Sequence, residues 1–185
     1  KKLGGKDVFV FFLVEQCEIR KRCFIGNFDA IFSRCSLILS EPARLIGGRV
    51  RFESCRFQIG ADFSNPKKAD GLVFSATSNP ERAAFHECEF SGEPPQSGFA
   101  FFANRDGLIP EPVRFEHCRF LSATVPAAQI SGGRYVWDSC EFRTTGPAVI
   151  QFNATVEKSE LTFSGNRVLA AGGYLWRPPT GGKKI

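Results

Sequence analysis

The octet VRFESCRF (Val50–Phe57) returns 63 positions later as VRFEHCRF (Val113–Phe120), with seven of the eight letters unchanged. Looser copies of the pattern apolar-x-Phe-x-x-Cys-x-apolar occur along the rest of the chain. Their Cys positions, called anchors below, are Cys17, Cys35, Cys55, Cys88, Cys118 and Cys140, with Asn166 in the same place in a seventh copy. Because anchors recur every 18 to 33 residues, the chain is expected to stack similar units in a linear array.

Three positions of the octet are apolar in almost every copy: five before, three before and two after the anchor, with the phenol of Tyr135 as the exception. On each side of the anchor the apolar spacing is two, which is the period of a strand. Across the anchor the phase slips by one residue. We interpret this slip as two strands that both face inward and are joined by a two-residue corner.

A second apolar stretch follows the octet in most units. These stretches are Ala43–Gly47, Gly71–Ser75, Gly98–Phe102, Ala127–Ser131, Ala148–Phe152 and Gly173–Arg177. Each unit therefore contains about three short strands, and Phe-rich units with polar corners are typical of the rungs of a parallel β-helix. In such a stack, equivalent residues lie above one another at a spacing of about 4.8 Å.

The residue after each anchor tests this register independently. From Arg56 onward it alternates in sign through Glu89, Arg119, Glu141 and Arg167. Outward residues of adjacent strands face each other, and opposite charges are favourable there. The alternation predicts that these positions form one column.

The seven octets and their Cys/Asn column resemble the right-handed parallel β-helix superfamily, the pectate-lyase-like group, over Phe12 to about Trp176. The resemblance implies an all-β, right-handed parallel β-helix solenoid of about seven rungs. We expect residues 1–11 to form a lead-in or cap, 12–177 the solenoid and 178–185 a tail. A β-sandwich is the competing fold, but it does not readily explain a single recurring Cys column.

Seven cysteines, an odd number, are present. Six are anchors between inward-facing apolar positions, so we expect a ladder of free buried thiols. Cys23 lies outside the ladder. No metal or other cofactor is expected.

The net charge of +5 comes from five lysines near the two ends, Lys1, Lys2, Lys6, Lys183 and Lys184. Residues 20–56 are nevertheless basic, with eight Lys/Arg against three Asp/Glu. Such a stretch suits a polyanion, but the aromatic and basic residues do not interleave as they do in nucleic-acid-binding modules. We therefore disfavour nucleic acid as a partner.

Two long insertions are candidate binding regions, since function on a repetitive scaffold tends to lie on long loops. They separate Cys55 from Cys88 and Cys88 from Cys118, and they are rich in Gly, Pro and charge. The candidate binding residues on them are Asp62, Lys67, Asp70, Arg82, Arg105 and Asp106. An ordinary solvated loop has the same composition.

Glu116 and Asp138 are the candidate catalytic residues. Both lie two positions before an anchor, in a predicted column that also holds Glu53 and His86. On adjacent rungs their carboxyl groups would be about 5 Å apart, as in a retaining glycosidase. The same carboxylates would also suit a hard cation, and exposed corners carry such residues without any function.

Catalytic signatures of pectinolytic enzymes are mostly absent, including a paired Asp motif, and no G-x-S-x-G, phosphate loop or Cys-x-x-Cys occurs. The leading hypothesis is therefore a non-catalytic scaffold or binding module of a larger protein or oligomer. Its ligand, a polysaccharide or a protein, would be contacted through the mid-solenoid loops. The alternative is a carbohydrate-active enzyme, a hydrolase or lyase, or a polysaccharide-binding domain of the tailspike or adhesin type.

The apolar run Val8–Val14 after the first lysines is short for a signal sequence and merges into the first octet, so we interpret it as a first strand. No stretch is long enough for a membrane span. The sequence does not indicate a compartment.

Overall fold

The computed structural model of the chain describes residues 2–3, 6–7, 11–21, 24–25, 29–39, 44–45, 48–59, 73–76, 80–92, 99–102, 112–122, 128–131, 133–144, 150–152, 159–170 and 176–177. Within these ranges the protein is all-β and contains no helix. Three seven-stranded parallel sheets make up almost all of it. The short strands Lys2–Leu3 and Lys6–Asp7 form a separate antiparallel pair.

Each sheet collects one strand from every repeat. Sheet 1 holds the strands before the anchors: Phe11–Glu15, Asp29–Ser33, Gly48–Glu53, Pro80–His86, Val113–Glu116, Gly133–Asp138 and Ser159–Ser164. Sheet 2 holds the strands after them: Glu18–Lys21, Ser36–Leu39, Arg56–Ile59, Glu89–Gly92, Arg119–Ser122, Glu141–Thr144 and Arg167–Ala170. Sheet 3 holds Phe24–Ile25, Arg44–Leu45, Val73–Ala76, Phe99–Phe102, Ala128–Ser131, Ile150–Phe152 and Trp176–Arg177.

In all three sheets the strands follow the order of the repeats along the chain. Consecutive repeats therefore pair with each other in all three sheets, and the parallel strand repeats are consistent with a β-helix-like solenoid. Sheet 3 matches the predicted second apolar stretches and adds Phe24–Ile25, which the sequence pattern did not indicate.

The core is built from columns of aromatic rings. Three positions before the anchor, Phe32, Phe52 and Phe85 stack with ring centroids 5.0 and 5.1 Å apart, and the column continues through Phe115 and Trp137. A second column of phenylalanines stands two positions after the anchor at spacings of 4.7 to 4.8 Å. The two columns meet edge to face. This recurring geometry stabilises the core beyond the burial of ring area and explains the abundance of Phe.

A left-handed residue turns the chain at every corner between sheets 1 and 2. The residue immediately before each anchor has a φ between 49° and 62°. These residues are Gln16, Arg34, Ser54, Glu87, His117, Ser139 and Gly165. The predicted two-residue corner is therefore one left-handed residue plus the anchor, and this explains why the inward-facing phase slips by one.

The anchor side chains connect adjacent repeats by hydrogen bonds as well as by apolar packing. The Sγ of Cys140 donates to the carbonyl of Phe115 in the previous repeat at 3.4 Å, and the backbone N–H of Cys35 donates to the Sγ of Cys55 at 3.4 Å. Asn166 reproduces both bonds: its Nδ2 donates to the carbonyl of Trp137 at 3.0 Å, and its Oδ1 accepts from the N–H of Cys140 at 2.7 Å. All six anchor cysteines are free, as predicted; Cys23 lies outside the described residues.

The charge column is also confirmed. Arg56, Glu89, Arg119, Glu141 and Arg167 pair in sequence across sheet 2. Glu89 contacts the arginines on both sides, at 3.4 Å from Arg56 and 3.2 Å from Arg119. The alternation of sign thus indicated the correct register.

Candidate functional site

The outward face of sheet 1 carries two parallel columns of side chains. One lies two positions before the anchor and contains Glu53, His86, Glu116 and Asp138, which pair in this order along the sheet. The other lies four positions before the anchor. Because inward and outward residues alternate along a strand, both columns face away from the aromatic core.

A recess opens in the second column at Ala84, where the side chain is small. Ala84 is the register partner of Arg51 on one side and of Arg114 on the other. Its methyl group leaves a gap between two arginine positions that are two strands apart, about 10 Å. The resulting sheet-1 recess has a volume of about 490 Å³, and His86 and Glu116 also line it.

Three arginines line the recess, and two of them are paired with carboxylates. Arg49, which lines the recess, is hydrogen-bonded to Asp29. Its Nη2 and Nε donate to Oδ2 at 2.7 and 3.1 Å, and its backbone N–H donates to Oδ1 at 2.8 Å. These hydrogen bonds lower the pKa of Asp29 below its ordinary value. Arg51 pairs with Glu53 at 2.7 Å. Among the described residues, Arg114 forms no side-chain hydrogen bond or ion pair, so its guanidinium is available to a ligand.

Glu116 and Asp138, the candidate catalytic pair, are register partners on adjacent strands of sheet 1. Their Cα atoms are therefore separated by about one inter-strand distance, about 4.8 Å. Glu116 is half-buried and lines the recess, whereas Asp138 is exposed and does not line it. The Asp138 carboxylate accepts instead from the hydroxyl of Ser139 at 3.4 Å.

Two histidines meet at the edge of the recess. The rings of His86 and His117 are perpendicular, with centroids 5.7 Å apart. His86 belongs to sheet 1, whereas His117 is the left-handed corner residue of the next repeat. The left-handed corner turns His117 towards His86, a contact that the sequence spacing alone did not indicate.

The candidate binding residues on the insertions fall mainly on parts of the chain that are not described. Asp62, Lys67, Asp70, Arg105 and Asp106 all lie outside the described residues. Arg82 is the exception: its backbone belongs to the sheet-1 strand Pro80–His86, where it pairs with Arg49 next to a register shift. The sequence placed Arg82 on a loop because the strand begins earlier than its octet.

The basic stretch 20–56 is extensively neutralised. Its arginines whose side chains are described each pair with a carboxylate: Arg20 with Glu18, Arg34 with Glu15, Arg49 with Asp29, Arg51 with Glu53 and Arg56 with Glu89. This pairing weakens the interpretation of the stretch as a polyanion-binding patch.

A second, shallower groove of about 400 Å³ follows the corner between sheets 1 and 2. Its arginines include Arg34, Arg56 and Arg119, and all three contact glutamates. Since its positive charges are already compensated, this groove is less suited than the sheet-1 recess to an anionic ligand.

The thiol ladder offers little reactive chemistry. Burial raises the pKa of Cys17 to about 11 and also raises the pKa of Cys118, whereas that of Cys55 is raised chiefly by hydrogen bonding to Cys88. Thiols with raised pKa values remain protonated at neutral pH and are poor nucleophiles. Hydrogen bonds within the ladder lower the pKa values of Cys140 and, against the opposing effect of burial, Cys88. Both of these thiols are buried in the core and are not accessible to a reactant. The ladder is therefore structural.

Within the described residues no group of three or more His, Cys, Asp or Glu side chains is arranged to hold a metal ion. In the same part of the chain, no helix has the length and apolar character needed to cross a membrane.

The recess itself escaped the sequence reasoning. Alignment of the octets places Ala84 between Arg51 and Arg114, so the signal was present as a small residue interrupting a column of large ones. The charged residues of the column do not by themselves indicate the recess.

No protein-family model matches this chain, and neither the curated proteins nor the solved structures contain a match to it.

Proposed function

We propose that this chain is a non-catalytic binding module of a larger protein or assembly, and that it binds an acidic polysaccharide at the sheet-1 recess. The scaffold in this proposal is a right-handed parallel β-helix of about seven rungs, in which the three sheets form the three faces of one coil. The shared strand order of the sheets supports the coil, and the resemblance to pectate-lyase-like proteins supports its hand.

The recess between Arg51 and Arg114 is the observation that carries the proposal. A planar guanidinium binds a carboxylate or sulfate through two parallel hydrogen bonds. Arg49 and Arg51 are already paired with Asp29 and Glu53, so Arg114 is the arginine of the recess that would bind an anionic group. The open face of sheet 1 would allow a long chain to extend along the column.

The location of the recess also connects it with the long insertions. Its central strands, Gly48–Glu53, Pro80–His86 and Val113–Glu116, belong to the repeats that the two insertions separate. Asp62, Lys67, Asp70, Arg105 and Asp106, on these insertions, remain candidate contacts for the same ligand.

The test is binding of a uronate-containing polysaccharide and of a neutral polysaccharide of similar length, measured by isothermal titration calorimetry at two salt concentrations. We expect binding of the uronate polymer that weakens with salt. Arg114→Gln removes the arginine without a partner, and Ala84→Leu fills the gap without changing charge. Arg114→Gln is expected to weaken binding about tenfold or more, because a charge-assisted hydrogen bond is lost. Ala84→Leu is expected to weaken binding by a similar factor, because the leucine side chain fills the space that the ligand would occupy.

Arg143→Gln is the matched control, because Arg143 is an exposed arginine on sheet 2, away from the recess. It should leave binding unchanged. Equal affinity for neutral and acidic polymers, or binding that survives both Arg114→Gln and Ala84→Leu, would contradict the proposal.

A polysaccharide hydrolase or lyase is the second candidate, favoured by the register pairing of Glu116 with Asp138. The exposed position of Asp138 outside the recess counts against it. Release of reducing ends from the bound polymer, lost in both Glu116→Gln and Asp138→Asn, would establish the enzyme. Binding without release would leave the module non-catalytic.

A further inference from the structure

The two ends of the repeat stack are chemically complementary. In the interior, the N–H of the residue before each anchor donates to the carbonyl two before the next anchor, as from Ser139 to Ser164 at 2.9 Å. The N–H after each anchor donates to the carbonyl of the previous anchor, as from Arg167 to Cys140 at 2.8 Å. These two bonds recur at all six junctions between described repeats.

At the seventh repeat the pattern leaves one donor and one acceptor without a backbone partner among the described residues, the N–H of Gly165 and the carbonyl of Asn166. The first repeat presents the matching groups, the carbonyl of Glu15 and the N–H of Glu18. A second copy stacked with its first repeat on the seventh repeat would therefore continue both bonds in the same parallel sense. Unpaired strand edges of this kind are templates for association.

The charge column continues across the same junction. Arg167 is exposed, and its register partner among the described residues is Glu141; Glu18 is exposed and pairs in register with Ser36. Stacking first on seventh repeat would place Glu18 beside Arg167 and extend the alternation of sign. Glu18 also contacts Arg20 on its own strand, and both side chains are largely exposed, so this contact is easily exchanged.

The apolar columns are incomplete at both ends. Leu161, Phe163 and Val168 of the seventh repeat are only partly buried, as are Val14, Cys17 and Ile19 of the first. Apolar surface left exposed at matching positions favours contact between the two ends.

We propose that this surface binds a second copy of the chain, head to tail, with the first repeat of one copy continuing the three sheets of the other. This contact joins the first repeat of one copy to the seventh repeat of another, so it is heterologous and leaves one repeat available for a further copy at each end of the oligomer. The product is an open series of oligomers, not a closed dimer. The proposal rests on strand edges and charges and does not depend on the ligand of the recess.

The experiment is sedimentation velocity of the full chain over a concentration series, with circular dichroism to establish that each variant is folded. The wild type should form larger species as concentration rises. Glu18→Arg and Arg167→Glu each place like charges at the junction, and each should weaken association about three- to tenfold. The double variant Glu18→Arg/Arg167→Glu restores opposite charges and should recover the wild-type behaviour.

Arg143→Glu is the matched control, since it reverses an exposed arginine on sheet 2 in the interior of the stack. Its association should equal that of the wild type. A chain that remains monomeric at every concentration overturns the proposal. So does a closed dimer, or association that neither single variant weakens.

Discussion

At the scale of single residues, the anchor position selects for a small side chain that both accepts and donates a hydrogen bond. Asn166 accepts from the N–H of Cys140 and donates to the carbonyl of Trp137. The thiol of Cys55 makes the same pair of contacts with the N–H of Cys35 and the carbonyl of Phe32. This explains why asparagine takes the place of cysteine in the seventh repeat.

We therefore predict that Asn166→Cys retains most of the stability, whereas Asn166→Val, of similar size, loses about 1–3 kcal/mol because two backbone groups are left without partners. Urea denaturation followed by circular dichroism measures both. If Asn166→Val is as stable as Asn166→Cys, the anchor is selected by size alone.

A second residue-scale prediction concerns Asp29, whose pKa is lowered by Arg49. Because the folded pKa lies below the unfolded value near 3.8, the pair stabilises the protein above that pH, and the stabilisation is lost as the pH falls through the folded pKa. Asp29→Asn should cost about 1–2 kcal/mol at pH 7, and the difference from wild type should vanish in acid. Denaturation midpoints across the pH range measure it.

Glu53→Gln is the comparison for Asp29, because Glu53 also pairs with an arginine but is more exposed, at 37% against 16% of the side chain. It should cost less than about 1 kcal/mol. A pH-independent loss in Asp29→Asn would show that the carboxylate charge is not the cause.

At the scale of the element, the corner between sheets 1 and 2 depends on a left-handed residue that is seldom glycine. Such a conformation costs an ordinary residue about 1–2 kcal/mol and costs Asn less. Ser139, with a φ of 54°, should accept Asn without loss. Ser139→Val should lose about 1–2 kcal/mol, because a β-branched side chain fits this region poorly. Thermal melts of the two variants decide it, and equal melting temperatures would contradict the strain argument.

The corners also show which parts of an element can be predicted from sequence. The apolar positions around each anchor and the alternating charges of Arg56 and Glu89 indicated strand, register and inward face, because burial and pairing repeat with the strand period. The left-handed φ of Gln16 or Glu87 could not be predicted from the sequence, because such polar residues occur in many backbone conformations. The corner positions are consistently polar or glycine, which is the signal that was available.

The candidate site was less accessible to prediction than the fold. The column of Glu53, His86, Glu116 and Asp138 followed from register alone. The sequence did not show which of these residues line the recess. The recess exists because the small side chain of Ala84 leaves space beside them. Ion pairing could not be predicted either. Arg49 and Arg51 indicated a basic patch, because the sequence does not show that carboxylates neutralise them.

At the scale of the whole molecule, each described repeat contacts mainly its neighbours, so stability should be distributed along the stack as it is in repeat proteins. The anchors and inward-facing residues of the middle repeats are buried, whereas those of the first and seventh are partly exposed. Amide hydrogen exchange should therefore be slowest near Phe85 and fastest near Val14 and Phe163.

The same column supplies a matched pair of substitutions. Phe85 stacks between Phe52 and Phe115 at 5.1 and 4.9 Å, whereas Phe163 has only one described ring neighbour, Phe142 at 5.3 Å. Phe85→Leu should lower the global free energy of unfolding by about 1–3 kcal/mol and accelerate exchange in every repeat. Phe163→Leu should accelerate exchange mainly in the seventh repeat, because that repeat opens without unfolding the rest. Equal and global effects of the two substitutions would mean that the stack unfolds as one unit, and nearest-neighbour coupling would then have to be strong enough to suppress fraying at its ends.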